Sequence, residues 1–130
     1  MAMPTPFTAT ALVALGGGTG AAARYWLGRA IGAGPALPWG TFAANIIGSM
    51  AIGILAGWLA RHGTTEGFGS EHWRLLLGVG LLGGFTTFSA FSLESVLLIE
   101  RGQAGLAALY IGGSVLAGMA ALFIGLKAGA

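Results

Sequence analysis

A chain of 130 residues that is 55% hydrophobic and only 8% charged, with a mean hydropathy of +0.83, excludes a soluble globular domain and reads as an integral membrane protein. Six Lys and Arg against four Asp and Glu leave a net charge of +2, and the basic residues stand singly, without the clustering a nucleic-acid surface needs. The absence of cysteine excludes disulfides and thiolate metal sites.

The opening residues, Met-Ala-Met-Pro-Thr-Pro-Phe, lack the basic region of a secretory signal and read as mature protein. Pro4 and Pro6 predict an extended tail. A membrane helix needs about 20 mostly apolar residues, and four stretches qualify. The first covers about 8–31, where Gly16, Gly17, Gly18 and Gly20 form a small face suited to close helix contact. Arg24 and Arg29 follow, beside Tyr25 and Trp26, as an interfacial girdle would have them. Arg24 lies deeper, which leaves two readings open for it, an interfacial anchor or the mouth of a pore.

A Gly/Pro loop at 32–38 leads to a second span at about 39–60, with Trp39 and Trp58 near its ends. Thr41, Asn45, Gly48 and Ser49 fall at i, i+4, i+7 and i+8, on one polar, small-residue face. A carboxamide in hydrocarbon is costly without a partner. Asn45 is therefore either interhelical glue or a donor to an anion. Residues 61–72 form a hydrophilic loop with His62 and His72, whose spacing does not suit a metal.

The third span, about 73–99, contains Gly83-Gly84-Phe85-Thr86-Thr87-Phe88-Ser89-Ala90-Phe91-Ser92. Two glycines weaken a helix, and Thr86 and Thr87 carry side-chain oxygens able to cap a new one. A break at 83–87 is expected near the bilayer midplane, where irregular backbone survives only inside protein or against a polar cavity. The bland alternative is a glycine packing seam whose serines bond back to the preceding turn. Beyond the break Phe88, Phe91, Glu94 and Ser95 share one side of the second half-helix. Glu94 is the acidic residue embedded in a span, by default a functional position. After a turn holding Glu100 and Arg101, a fourth span at about 103–127 carries Tyr110, Ser114 and Gly118 on one stripe.

With four spans, Arg24, Arg29 and Arg101 fall on one side and Arg61, Arg74 and Lys127 on the other. Three against three sets no orientation, so the chain is expected to insert both ways up, with opposed copies pairing. No nucleophile and base, metal spacing or phosphate loop is present, and an enzyme is not expected. What remains is a path lined by an amide, hydroxyls and phenylalanine edges. Ring edges are the positive part of the aromatic quadrupole, and with neutral donors they suit a small, strongly hydrated anion.

The motifs Gly17-Gly18-Thr19-Gly20-Ala21-Ala22-Ala23-Arg24-Tyr25, Gly40-Thr41-Phe42-Ala43-Ala44-Asn45-Ile46-Ile47-Gly48-Ser49 and Gly83-Gly84-Phe85-Thr86-Thr87-Phe88-Ser89 resemble the Fluc (CrcB-type) fluoride channel family across all four spans. The resemblance implies one all-α domain of four membrane helices, the third broken, forming an antiparallel dual-topology homodimer in the inner cell membrane. It implies two fluoride pores and a central sodium ion, with cytoplasmic fluoride leaking out. On this resemblance Phe88 and Phe91 line the pore with Asn45, Thr87 and Ser89. Tyr110 and Ser114 form a polar track, Glu94 lies near one pore end and Arg24 near a mouth. The backbone carbonyls of Gly83 and Thr86 hold the sodium. Ala90 and Gly118 depart from the family pattern, each where a hydroxyl is common. The rival readings are a small dual-topology exporter coupled to protons, which would need Glu94 in a central cavity, and a structural membrane subunit.

Overall fold

The computed structural model describes residues 3–32, 37–62 and 69–130, and among these every regular element is helical. Helix α1 (Pro6–Ile31) begins earlier than its apolar pattern suggests. Thr5 is its cap, accepting the Thr8 N–H at 3.2 Å on its Oγ1. Pro6 is the first helical residue, where a missing N–H costs nothing. The expectation of an extended tail through Pro6 is thus corrected: the proline starts the helix. Helix α2 (Trp39–His62) also runs past its predicted end. Of the two connecting loops expected at 32–38 and 61–72, positions 33–36 and 63–68 lie outside the described residues.

The third stretch is composite. Helix α3 (Ser70–Trp73) runs into π-helical turns at Arg74–Leu82, then a single turn α4 (Gly83–Phe85). Thr86 and Thr87 are extended, and α5 (Phe88–Glu100) follows. Gly102 takes a left-handed turn at φ 76°, its N–H on Ile99 O, while Gln103 N–H returns to Leu98 O at 2.9 Å. This closes α5, and α6 (Ala104–Gly129) completes the chain. Among the described residues three stretches are long and apolar enough to cross a membrane: Trp39–His62, Ser70–Glu100 and Ala104–Gly129. This is the build of a multi-pass helical membrane protein. Helix α1, at 26 residues, matches α6 in length.

Two glycine seams hold the helices together. On α2, Gly53 and Gly57 meet the Leu122 and Leu126 backbone of α6. In return Gly125 and Gly129 of α6 meet Met50 and Ile54 of α2. A Cβ at any of the four would collide with a carbonyl, so the spacing of four works in both directions and α2 packs most extensively on α6. The second seam joins α1 to the π segment and α4 through Gly16, Gly17 and Gly20. Gly18 faces open space and takes no part. The first half of the broken span therefore leans on α1, whereas α5 leans on α6, with α2 between. A small buried cluster of Leu98, Ala107 and Tyr110 fixes α5 against α6, and Phe42 and Phe91 pack on it.

Candidate functional site

The break falls at Thr86 (φ −89°, ψ 156°) and Thr87 (φ −150°, ψ 118°), so Gly83 and Gly84 are still helical. The expectation that these glycines loosen the chain is corrected in one respect. Gly84 is required because a Cβ there would run into the backbone of Gly17. The two threonines divide the capping. Thr87 Oγ1 accepts the Ala90 N–H at 3.1 Å and starts α5. Thr86 Oγ1 instead donates back to Leu82 O at 2.9 Å, closing the helix behind it.

Asn45 holds the extended backbone open. Thr87 N–H donates to Asn45 Oδ1 at 2.7 Å, and Asn45 Nδ2 donates to Thr87 O at 3.1 Å. This paired bond is the interhelical glue anticipated as one reading of Asn45. An amide has two N–H donors, so one proton of Nδ2 is left over for the other reading. The diverted Thr87 N–H would otherwise close the next turn on Gly83 O, and the Ala90 N–H, given to Thr87 Oγ1, would do the same for Thr86 O. The carbonyls of Gly83 and Thr86 thus lose their helical donors. Gly48 on the same α2 face serves the same element: a Cβ there would strike the Thr86 methyl.

A groove of about 370 Å3 opens beside the break, and Asn45, Gly83, Thr86, Thr87, Phe88, Phe91 and Ser114 line it. Phe88 is 79% exposed in the single chain. Its ring centroid lies 5.9 Å from that of Phe91 at 48°, and Phe91 lies 5.2 Å from Tyr110 at 49°. Ser114 Oγ is buried and, among the described residues, has no hydrogen-bond partner. Ser89 stands apart from this lining, exposed, its Oγ 3.2 Å from Thr87 Oγ1.

Arg24 and Glu94 belong to a second cavity of about 760 Å3 at the α1 C-terminal end, together with Thr41, Arg29 and Arg101. The Glu94 carboxylate accepts from Thr41 Oγ1 at 2.6 Å and from Tyr110 OH at 3.2 Å. Tyr110 is only 4% exposed and is not part of the cavity lining, so its hydroxyl reaches Glu94 from within the protein. Arg24 Nε donates to Gly84 O at 3.3 Å. At the other end of α2, Arg61 Nη1 donates to Ala130 O at 3.1 Å, so Arg61 lies beside the end of α6 that carries Lys127. Among the described residues no cluster of acidic, histidine or cysteine side chains could hold a metal ion.

Thr41 is the partner that the sequence reading left without a role. Its signal was the four-residue spacing from Asn45, which carries one α2 face past both Glu94 and Thr87. A family described as CrcB-like protein, Camphor Resistance (CrcB), matches residues 11–126. The chain belongs to the CrcB family. The "Fluoride-specific ion channel FluC" of Novosphingobium aromaticivorans is 61% identical over 124 residues, covering 92% of this chain and 94% of the relative. Proteins of the same name from Phenylobacterium zucineum and Caulobacter vibrioides are 59% and 52% identical, each covering 88% of this chain and 90% of the relative.

In this CrcB-family chain the Thr41 to Glu94 bond is short and part-buried, and removing one partner of such a bond costs about 1–3 kcal/mol. Thr41→Val keeps the shape and removes the donor. A loss of stability of about 2 kcal/mol is expected, read as a lowered melting temperature of the purified protein in detergent, with Thr10→Val as the exposed control.

Proposed function

We propose that this protein is a fluoride-selective channel, not an enzyme, through which cytoplasmic fluoride leaves the cell passively across the inner membrane. The observation that carries this reading is 61% identity, over nearly the whole chain, to a relative named as a fluoride-specific ion channel. The groove at the break has the fitting chemistry. Fluoride gives up its water only where hydrogen bonds replace it, and the remaining Asn45 proton and the unpaired Ser114 hydroxyl are neutral donors on one wall. Phe88 and Phe91 add ring edges, whose positive potential favours an anion without binding it as tightly as a fixed charge would. Thr87 supplies a hydroxyl to the groove at the start of α5, with the exposed Ser89 hydroxyl beside it. Tyr110, Glu94 and Arg24 lead from there to the polar cavity, which serves as a vestibule. Ala90 and Gly118 thin this lining.

The working unit on this reading is an antiparallel homodimer with two pores, each chain a single domain crossing the bilayer four times with α1 as the fourth span. Supporting it are the high exposure of Phe88 on one chain and the even split of basic residues, with Arg24, Arg29 and Arg101 around one cavity and Arg61, Arg74 and Lys127 toward the other end. The Gly83 and Thr86 carbonyls would hold a sodium ion between the two chains. Their fit is that of hard, neutral oxygens freed from helical donors at a helix C-terminal end. A cation there would offset part of the cost of bringing anions to this depth.

Reconstitution into fluoride-loaded liposomes, followed with a fluoride electrode, tests the channel. Efflux no faster than from protein-free liposomes would sink it, and efflux that requires a proton gradient would favour an exporter. Chloride-loaded liposomes should release almost nothing. Phe91→Ile and Phe88→Ile should each slow fluoride efflux by roughly tenfold or more, about 1.4 kcal/mol in barrier, while the protein elutes from size exclusion at its usual volume. Unchanged rates in both variants would contradict a role for ring edges.

A further inference from the structure

The break leaves the last carbonyls of the first half-helix without the N–H groups that would follow them in a continuous helix, and two of these, Gly83 and Gly84, meet different fates. Gly83 would be served by Thr87 N–H, which Asn45 takes, and the Gly83 residue is exposed and borders the groove. Gly84 would be served by Phe88 N–H, but Phe88 lies beyond the extended residues, and Gly84 O accepts from Arg24 Nε at 3.3 Å. We infer that Arg24 is a positioning residue for the break: its Nε draws the Gly84 carbonyl toward α1 and so keeps it from competing with Gly83 and Thr86 for a cation.

The placement of α1 supports this. Gly17, Gly20 and Arg24 fall at i, i+3 and i+7, on one face. All three address the same turn. Gly17 meets the backbone of Gly84, Gly20 meets Leu81 O and Phe85 N, and Arg24 reaches Gly84 O. The two glycines bring α1 within reach and the arginine makes the one directional bond. Its charge is also well placed, because the C-terminal end of a helix attracts cations. Charge alone would not select one carbonyl among neighbours, whereas a planar N–H donor does. Arg24 is half-buried and reaches the vestibule from the same helix turn.

The inference rests on the cation site proposed above, and two substitutions separate its parts. In Arg24→Gln the amide Nε2 stands at the same position along the side chain as the arginine Nε, so the donor is kept and the charge removed. In Arg24→Lys the charge is kept, but a methylene stands where the donor was. The purified proteins are titrated with sodium against N-methylglucamine while thermal melting is followed, and fluoride efflux from liposomes is measured in parallel. The glutamine variant should keep the parent's sodium half-point within about threefold, and the lysine variant should raise it about tenfold, the loss expected for one charge-assisted hydrogen bond. The efflux rates should rank the same way. The opposite order would make Arg24 an electrostatic contact and overturn the inference, as would two variants that both match the parent or both fail. A parent whose melting ignores sodium would sink the cation site itself, whereas a sodium-responsive parent with the order reversed would sink only the role of Arg24.

Discussion

Asn45→Asp is expected to abolish fluoride efflux. The substitution keeps the oxygen that accepts the Thr87 N–H but puts a second oxygen where Nδ2 now donates to Thr87 O at 3.1 Å. Two acceptors would then face each other without a proton between them, and a carboxylate would stand on the wall of the groove. An unpaired buried acceptor costs about 1–3 kcal/mol and a charged one more, so a total of roughly 3 kcal/mol or more is expected at the one contact that holds Thr87 extended. The negative charge also repels the anion directly. Liposome efflux is the measurement, with size exclusion to follow folding. Efflux at the parent rate would mean that neither the paired bond nor the neutrality of the wall matters.

Gly20→Ala should be nearly as damaging, and for a reason that involves no chemistry at the groove. The added Cβ would fall against Leu81 O and 2.8 Å from Phe85 N, both backbone atoms that cannot swing aside. Helix α1 would have to lift from α4, taking Arg24 away from Gly84. Overpacking of this kind costs about 1–3 kcal/mol and occasionally more. Gly18→Ala is the matched control, since nothing lies within 4 Å of the Cβ it would add, and its effect should stay within about 0.5 kcal/mol. Melting temperature and efflux should fall together for the first variant and hold for the second. Equal behaviour of the two would contradict the seam.

The contrast between Gly18 and Gly20 shows where the amino-acid sequence is informative and where it stops. Apolar length locates the spans, because hydrophobic thickness leaves little choice. Local hydrogen bonding makes Thr87 legible as a cap, since the bond to Ala90 spans three residues. Thr86 has the same side chain and the opposite role, and only the direction of the chain on either side decides between them. The glycines at 83 and 84 read as breakers, yet Gly84 is set by a helix more than sixty residues earlier. Asn45 carried two open readings for the same reason: its partner is the backbone of residue 87, and a backbone group leaves no mark in a sequence. Glu94 stood out as an embedded acid, but the hydroxyls that hold it come from two other helices. Nothing local announces the π turns at Arg74–Leu82.

Those turns bear on how a gene of this kind can change length. In an α-helix each residue advances the face by about 100°, so losing one residue from α2 or α6 would rotate everything beyond it and scatter the glycines that must meet. A π turn already holds a residue more than the i→i+4 pattern needs; Gly83 N–H still returns to Gly78 O, five positions back. Removing one residue between 74 and 82 narrows a turn and leaves the faces before and after it aligned. A one-residue deletion in this segment is therefore expected to disturb the faces beyond it less than one in α2 or α6, its cost falling on the contacts with Gly16.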